Sequence, residues 1–202
     1  MPPRDPAHQR QVWHARYPWI AVTVDRLAAI LIGPLLIAYR LRLISYLSVG
    51  QILSVQPGTV GVILRRAWYR ATLQTCGAKL HVGFGAIIAC PESRIGDNCS
   101  LGDYTRLGLV DIGAYFVSAH HVSIPSGRYQ HAFDRRDIPV SQQPTTRTRV
   151  TVGTDVWVGA QAFIGTDVAS HSVIGASAVV THTFPEWSIL AGVPARVLRS
   201  RP

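Results

Sequence analysis

Residues Val150–Val180 read VTVGTDVWVGAQAFIGTDVASHSVIGASAVV. An aliphatic residue followed by glycine returns as Val152-Gly153, Val158-Gly159, Ile164-Gly165 and Ile174-Gly175. Small or aliphatic residues (Val156, Ala162, Val168, Ala178) stand four places after the aliphatic one. Such a six-residue beat predicts a solenoid of short strands, each turning a corner and stacking on the coil before it. The aliphatic side chain fills a narrow prism and the glycine admits a corner too tight for a Cβ. The residue four later is small because it also points inward.

Working outward, the beat continues towards the N-terminus through Val82, Ile88, Ile95-Gly96, Leu101-Gly102, Leu107-Gly108 and Ile112-Gly113, with Cys99, Thr105 and Phe116 in the inward slots. It persists weakly through Ser118 and Ile124. The steps Ile88 to Ile95, Leu107 to Ile112 and Ile164 to Ile174 are irregular, and corners are expected to absorb the slips. Between Ile124 and Val150 the beat is absent, so residues 125–149 form a long excursion from a rigid scaffold, where function is usually carried.

The N-terminal part is a different material. Residues 1–56 comprise a polar, proline-bearing tail and an apolar segment, with LAAILIGPLLIAY at Leu27–Tyr39 free of charge and flanked by Arg26 and Arg40. The tail lacks the layout of a secretory signal. The 13-residue run is shorter than the roughly 20 residues of a spanning helix, and Gly33-Pro34 predicts a bent or re-entrant segment. Two expectations follow for residues 19–53: helices lying on a membrane surface with Arg26, Arg40 and Arg42 near anionic headgroups, or a hairpin packed on the prism or between subunits. Residues 57–78 are expected to hold an amphipathic helix capping the open end of the prism. Val60, Ile63, Leu64, Ala67, Trp68 and Ala71 would form its apolar stripe, with Arg65, Arg66 and Arg70 on a solvated or lipid-facing side. Residues 79–202 would be the solenoid domain.

The chain has 202 residues, is 48% hydrophobic and carries a net charge of +9, from 19 Arg and Lys79 against 11 acids. That composition excludes disorder, and the charge points to phosphate-bearing ligands or an anionic surface. Nucleic acid is disfavoured because the arginines are scattered, without interleaved aromatics. Cys76, Cys90 and Cys99 show neither metal spacing nor an even count, which favours a reduced, cytosolic setting, with Cys99 a core residue.

IGDNCSLGDYTRLG from Ile95, DVWVGAQAFIG from Asp155, SVIGASAVVTHTFPEWSILAGVPARVLR from Ser172 and the excursion opening IPSGRYQHAFD occur in the order that marks one family. From about Val60 to the C-terminus the chain resembles the hexapeptide-repeat acyltransferases, especially the surface-polysaccharide O-acetyltransferases and their maltose, galactoside and serine acetyltransferase relatives. The resemblance implies a mainly β fold: a left-handed parallel β-helix with N-terminal apolar helices and a protruding catalytic loop. Its handedness rests on the family alone, since ordinary parallel crossovers are right-handed.

The resemblance also implies chemistry. An acyl group would pass from acetyl-CoA or another acyl-CoA to a hydroxyl of a sugar or glycolipid acceptor, with no metal expected. His131 matches the position of the family's catalytic histidine, and an imidazole that is largely neutral near pH 7 suits a general base. His120 and His121 fall at a corner and compete with it, either as base or as residues lining the acceptor pocket or orienting His131. Asp103, Asp111, Asp134 and Asp137 are all candidates to orient the base, and the choice stays open. Ala160 and Ala176 match corner residues whose backbone binds the pantetheine arm, while Arg196 and Arg199 match basic side chains near the nucleotide phosphates. His81, His171 and His182 read as ordinary corner or surface residues, and His8 and His14 lie in the unpatterned N-terminus. Relatives form trimers with active sites between neighbours, so a homotrimer at the inner face of the cell membrane is expected. A zinc enzyme of the γ-carbonic anhydrase kind and a non-catalytic trimeric scaffold are the alternatives, the first needing stoichiometric zinc.

Overall fold

The computed structural model describes residues 18–202, with side chains from Thr23 onwards; His8 and His14 lie outside this range. Among the described residues three helices, α1 (Pro18–Arg40), α2 (Tyr46–Ser54) and α3 (Gly58–Thr72), precede the strands. The first coil contains β1 (Thr75–Cys76), β2 (His81–Val82) and β3 (Ile87–Ile88); the second, β4 (Arg94–Ile95), β5 (Ser100–Leu101) and β6 (Arg106–Leu107). The third is β7 (Val110–Ile112), β8 (Val117–Ser118) and β9 (Ser123–Ile124), and the fourth, after the excursion, is β10 (Val150–Val152), β11 (Trp157–Val158) and β12 (Phe163–Ile164). In the fifth, β13 (Val173–Ile174) and β14 (Val179–Val180) follow a single bridge from Val168 to Val152. The sixth is partial: β15 (Ser188–Ala191) pairs in parallel with β13, and β16 (Arg196–Ser200) turns back antiparallel on β15.

Equivalent strands stack into three parallel sheets, the faces of a prism: β1-β4-β7-β10, β2-β5-β8-β11-β13-β15 with β16 outermost, and β3-β6-β9-β12-β14. The inward positions of the beat are its core. Val82, Leu101, Val158 and Ile174 in the second sheet and Ile88, Leu107, Ile124, Ile164 and Val180 in the third are fully buried. Ser118 weakens the sequence pattern yet is buried, because its hydroxyl accepts from the Gly102 N–H at 3.1 Å and lies 3.2 Å from the Thr105 hydroxyl.

The irregular steps have a single cause. Inward residues are six apart wherever the first sheet turns into the second (95 to 101, 112 to 118, 152 to 158, 168 to 174) and wherever the second turns into the third. Each of these corners contains a residue with positive φ, among them Asn98, Tyr115, Asp155 and His171 at the first corner and Tyr104, His121, Gln161 and Ser177 at the second. That left-handed residue costs roughly 1–2 kcal/mol when it carries a side chain, and the cost is offset by hydrogen bonds between stacked corners, such as Gln161 N–H to His120 O at 3.0 Å. Every slip falls at the third corner, where the third sheet turns back to the first, and the excursion leaves from that corner as well. Val168, read from sequence as a small inward slot, is instead the inward residue of the first sheet, so the ten-residue step is four plus six.

The N-terminal helices depart from expectation in two respects. The helix α1 continues through Gly33-Pro34 as one helix, so the segment is not re-entrant. Pro34 is exposed, so the Ile30 carbonyl that it leaves without an N–H donor is not trapped under a neighbouring element. In α3 the buried residues are Gly61, Arg65, Trp68 and Tyr69, while Val60 is 64% exposed. Arg65, expected on a solvated or lipid-facing side, is 1% exposed. Its guanidinium donates to the carbonyls of Val82 (2.9 Å), Leu53 (3.0 Å), Ser54 (3.2 Å) and Gln56 (2.8 Å). Arg66 and Arg70 pair with Asp25 of α1. The physical reason is that the open end of a solenoid exposes backbone hydrogen-bonding groups as well as an apolar interior. Accordingly the Tyr69 hydroxyl accepts the Ile88 N–H at 3.0 Å, and burial pushes its pKa up to about 12. Among the described residues no helix is long and apolar enough to cross a membrane.

Candidate active site

Two features outside the prism core carry the candidate residues: the second-corner edge, a column of small and imidazole residues, and the excursion that leaves from the third corner. The column is the second corner, where Phe84, Asp103, His120, Ala160 and Ala176 stack coil upon coil through Tyr104 N–H to Phe84 O (2.8 Å), His121 N–H to Asp103 O (2.8 Å), Gln161 N–H to His120 O (3.0 Å) and Ser177 N–H to Ala160 O (2.8 Å). Ala160 and Ala176, matched from different motifs, are thus neighbours on one edge, with His120 directly beneath. The edge is close-packed: a Cβ built on Gly159 would come within 2.5 Å of the Ala176 nitrogen. Lower on the edge, the Tyr104 ring meets Phe84 edge-on (5.7 Å between centroids) and stacks on His121 (4.8 Å). The Nδ1 atoms of His120 and His121 lie 3.0 Å apart, so the exposed pair is joined by a hydrogen bond. Sequence reading had not singled out Tyr104 or Phe84; counted from Phe84, Tyr104 stands one residue beyond the 19-residue coil step that joins Val82 to Leu101, and that near-match is the signal that joins them.

The excursion is an antiparallel ribbon, not a floppy loop. Thr148 N–H to Ser126 O (3.0 Å), Thr146 N–H to Gln130 O (2.9 Å) and Ala132 N–H to Pro144 O (2.9 Å) zip its two limbs together, and His131 bridges Thr145. Its tip is folded around Gln143, 4% exposed, whose amide donates to the Arg135 carbonyl (2.9 Å) and accepts from the Arg135 N–H (3.2 Å). His131 is exposed on this ribbon. At the root Arg128 donates to the Thr181 carbonyl. The next residue, His182, helps line a pocket of about 340 Å³ with Phe184, Pro194, Ala195, Arg196 and Val197. Arg196 therefore reaches a cavity beside the ribbon, while Arg199 is exposed on β16 and donates to the Ser200 carbonyl at 3.3 Å.

Within the one chain, no hydrogen bond or ring contact joins His131 to His120, His121 or the four candidate carboxylates. Asp111 is held by Arg94 (3.1 Å) and Arg149 (2.5 Å), Asp137 by Arg135, and Asp103 accepts the Phe84 N–H at 2.8 Å; Asp134 is exposed on the ribbon. His171, read as an ordinary corner residue, has its Nδ1 3.1 Å from Asp155 and its ring stacked on Trp187 at 4.1 Å. Arg201 donates to the same carboxylate at 2.8 Å, so this cluster ties the C-terminal strand to the coils beneath it. Burial pushes the Cys76 thiol up to about 11 and raises that of Cys99, so neither is poised as a nucleophile. Among the described residues no group of three or more His, Cys, Asp or Glu is arranged to hold a metal ion.

Comparison with known proteins adds sequence and fold relatives. No family model matches the chain. The sequence is 29% identical over 132 residues to a Mycobacterium tuberculosis protein described as a probable acetyltransferase, a match covering 62% of this chain and 43% of that protein. It is 28% identical over 113 residues to WbbJ of Escherichia coli K12, described as a putative lipopolysaccharide biosynthesis O-acetyl transferase, covering 51% and 58% respectively. A 52-residue stretch is 42% identical to the Escherichia coli K12 galactoside O-acetyltransferase, about a quarter of each chain. The maltose O-acetyltransferase of Clostridium difficile 630 superposes with a TM-score of 0.62 at 20% identity, covering 83% of this chain and 89% of that one. In sequence and in fold the chain is similar to the hexapeptide-repeat acetyltransferases. Its prism matches the left-handed β-helix of the solved acetyltransferases. The galactoside acetyltransferase bound to coenzyme A superposes on this hexapeptide-repeat chain with a TM-score of 0.59 at 23% identity, over 82% of each chain. The chain spans about half the length of the first two of these relatives, 43% and 58%.

Proposed function

We propose that this chain is an O-acyltransferase that moves an acetyl or other acyl group from CoA to a hydroxyl of a sugar, in a cell-surface glycan or its lipid-linked precursor. The observation that carries this reading is His131, presented on an ordered ribbon rooted beside the Arg196 pocket, on a β-helix whose sequence relatives are described as acetyltransferases. The corner backbone at Ala160 and Ala176 receives the pantetheine arm, because small side chains leave its polar groups approachable. Arg196, with Arg199 further out, faces the nucleotide phosphates.

In the reaction a ring nitrogen of His131 removes the proton of the acceptor hydroxyl as its oxygen attacks the thioester carbonyl. A new C–O bond forms, the C–S bond breaks, and the thiolate of CoA leaves and takes a proton. The acceptor rests against the Tyr104–His121 stack with His120 beside it. His131 and this edge are not in contact within one chain, so a second copy completes each site, as a cyclic trimer would provide. The three cysteines are free, in keeping with a reducing, cytoplasmic setting.

The test is acceptor-dependent release of CoA thiol from acetyl-CoA, with free and lipid-linked sugars offered to wild type and His131→Ala. The expected result is a fall of about a hundredfold or more in kcat/KM with CoA binding unchanged. Equal activity of the two proteins overturns the role of His131, and loss on His120→Ala or His121→Ala would transfer it to the corner pair. A wild type that neither binds CoA nor releases thiol overturns the enzyme reading in favour of a scaffold.

A further inference from the structure

Exposed large hydrophobic residues are concentrated at the N-terminal end of the molecule. On α1 these are Leu27 (55% exposed), Ile30 (71%), Leu31 (67%) and Ile37 (59%), continued beyond its end by Leu41 (64%) and Leu43 (77%). At 3.6 residues per turn, positions 27, 30, 31, 34, 37 and 41 share a stripe about 120° wide. The opposite side of α1 is already occupied: Ala28 and Ile32 are 2% exposed, and Leu35, Leu36 and Tyr39 pack on the core. The outward stripe is therefore not a core face left uncovered by accident of wheel phase; α1 is apolar on two sides, and among the described residues only one of them has a partner.

Charge identifies the partner. Between Pro18 and Thr72 the only acid is Asp25, and it is bound to Arg66 and Arg70 on the inner side. Arg65 is consumed by carbonyls in the cap. Three arginines remain outward: Arg26 and Arg40 lie on one flank of the stripe, near its two ends, and Arg42 stands in the left-handed turn that follows the helix (φ 60°), all exposed. An apolar stripe edged by unpaired guanidinium groups, without a carboxylate on that face, matches the boundary between acyl chains and anionic headgroups. A second copy would instead bring like charges together.

We propose that this face docks the protein on an anionic lipid bilayer, with α1 lying in the plane of the interface, Leu27, Ile30, Leu31, Ile37 and Leu41 among the acyl chains, and Arg26, Arg40 and Arg42 on lipid phosphates. The docking is independent of the catalytic reading. In a trimer three such faces would act together and multiply a marginal single-helix affinity.

Flotation of the full chain with phosphatidylcholine vesicles, with and without phosphatidylglycerol, tests it. Wild type is expected to float with the anionic vesicles and to be released by salt. Ile30→Glu with Leu31→Glu should lower the bound fraction at least about tenfold, and Arg40→Gln and Arg42→Gln about fivefold each, on anionic vesicles only. All four residues are exposed, so unchanged circular dichroism and thermal melting are expected for each variant. Wild type that stays unbound with both vesicle types overturns the proposal. So does light scattering in which the glutamate variants dissociate a larger oligomer in the absence of lipid, which would make the stripe a contact between copies.

Discussion

Arg65 shows how one residue can invert a helical wheel. Placed among Arg66 and Arg70 it reads as part of a solvated side, yet it is the most buried cation of α3 and binds four carbonyls drawn from α2, the residues after it and β2. Removing a buried charge that satisfies such acceptors leaves them without donors. Arg65→Met should therefore destabilise the protein by about 3 kcal/mol, seen as a lower denaturation midpoint in urea with the solenoid still folded. Arg66→Gln, which breaks a pair with a half-exposed partner, should cost much less. The corner imidazoles illustrate the same limit: His120, His121 and His171 look alike in sequence, but only the stacked coil decides that one pair bonds to itself and that the third bonds Asp155.

Among the elements, the ribbon at residues 125–149 is separable from the coil that carries it. Ser126 and Thr148 are already joined by a hydrogen bond of 3.0 Å at its base, so the third corner closes without the tip. Replacing residues 129–147 by a short glycine-serine turn should abolish acyl transfer while moving the melting temperature by only a few degrees, as read by calorimetry and a thiol-release assay. A large loss of stability would show instead that the ribbon is part of the core. The excursion was visible in sequence as a silence in the beat; its internal hydrogen bonding was not, because Gln143 and the Arg135 backbone meet through a fold of the tip that has no periodicity.

For the molecule as a whole, the two ends of the solenoid are closed differently: by α3 and Arg65 at one, and at the other by β16 with the Arg201–Asp155–His171–Trp187 cluster. The hydrogen bond from His171, reinforced by Arg201, holds the Asp155 carboxyl below its ordinary value. A depressed carboxyl pKa contributes stability that is present above its unfolded value near 3.8 and is lost as pH falls through the folded one. Thermal stability should therefore be insensitive to this group from neutral pH to about pH 4 and decline below it. In Asp155→Asn that acid-limb decline should be shallower, measured by melting at a series of pH values; an unchanged slope would mean that the latch does not couple to folding.

The repeat, its inward residues, the excursion and the family likeness were all determined by the sequence itself, because a prism wall is a local rule: each hexad supplies one inward aliphatic residue and one tight corner, whatever lies far away. Which carboxylate meets which histidine, that Ala160 and Ala176 share an edge with His120, that Arg65 is a cap, and that α1 keeps one apolar face open were decided only in the tertiary structure. Those facts depend on which coil stacks on which and on what an open end of backbone demands, and both are set by contacts between residues distant in the chain.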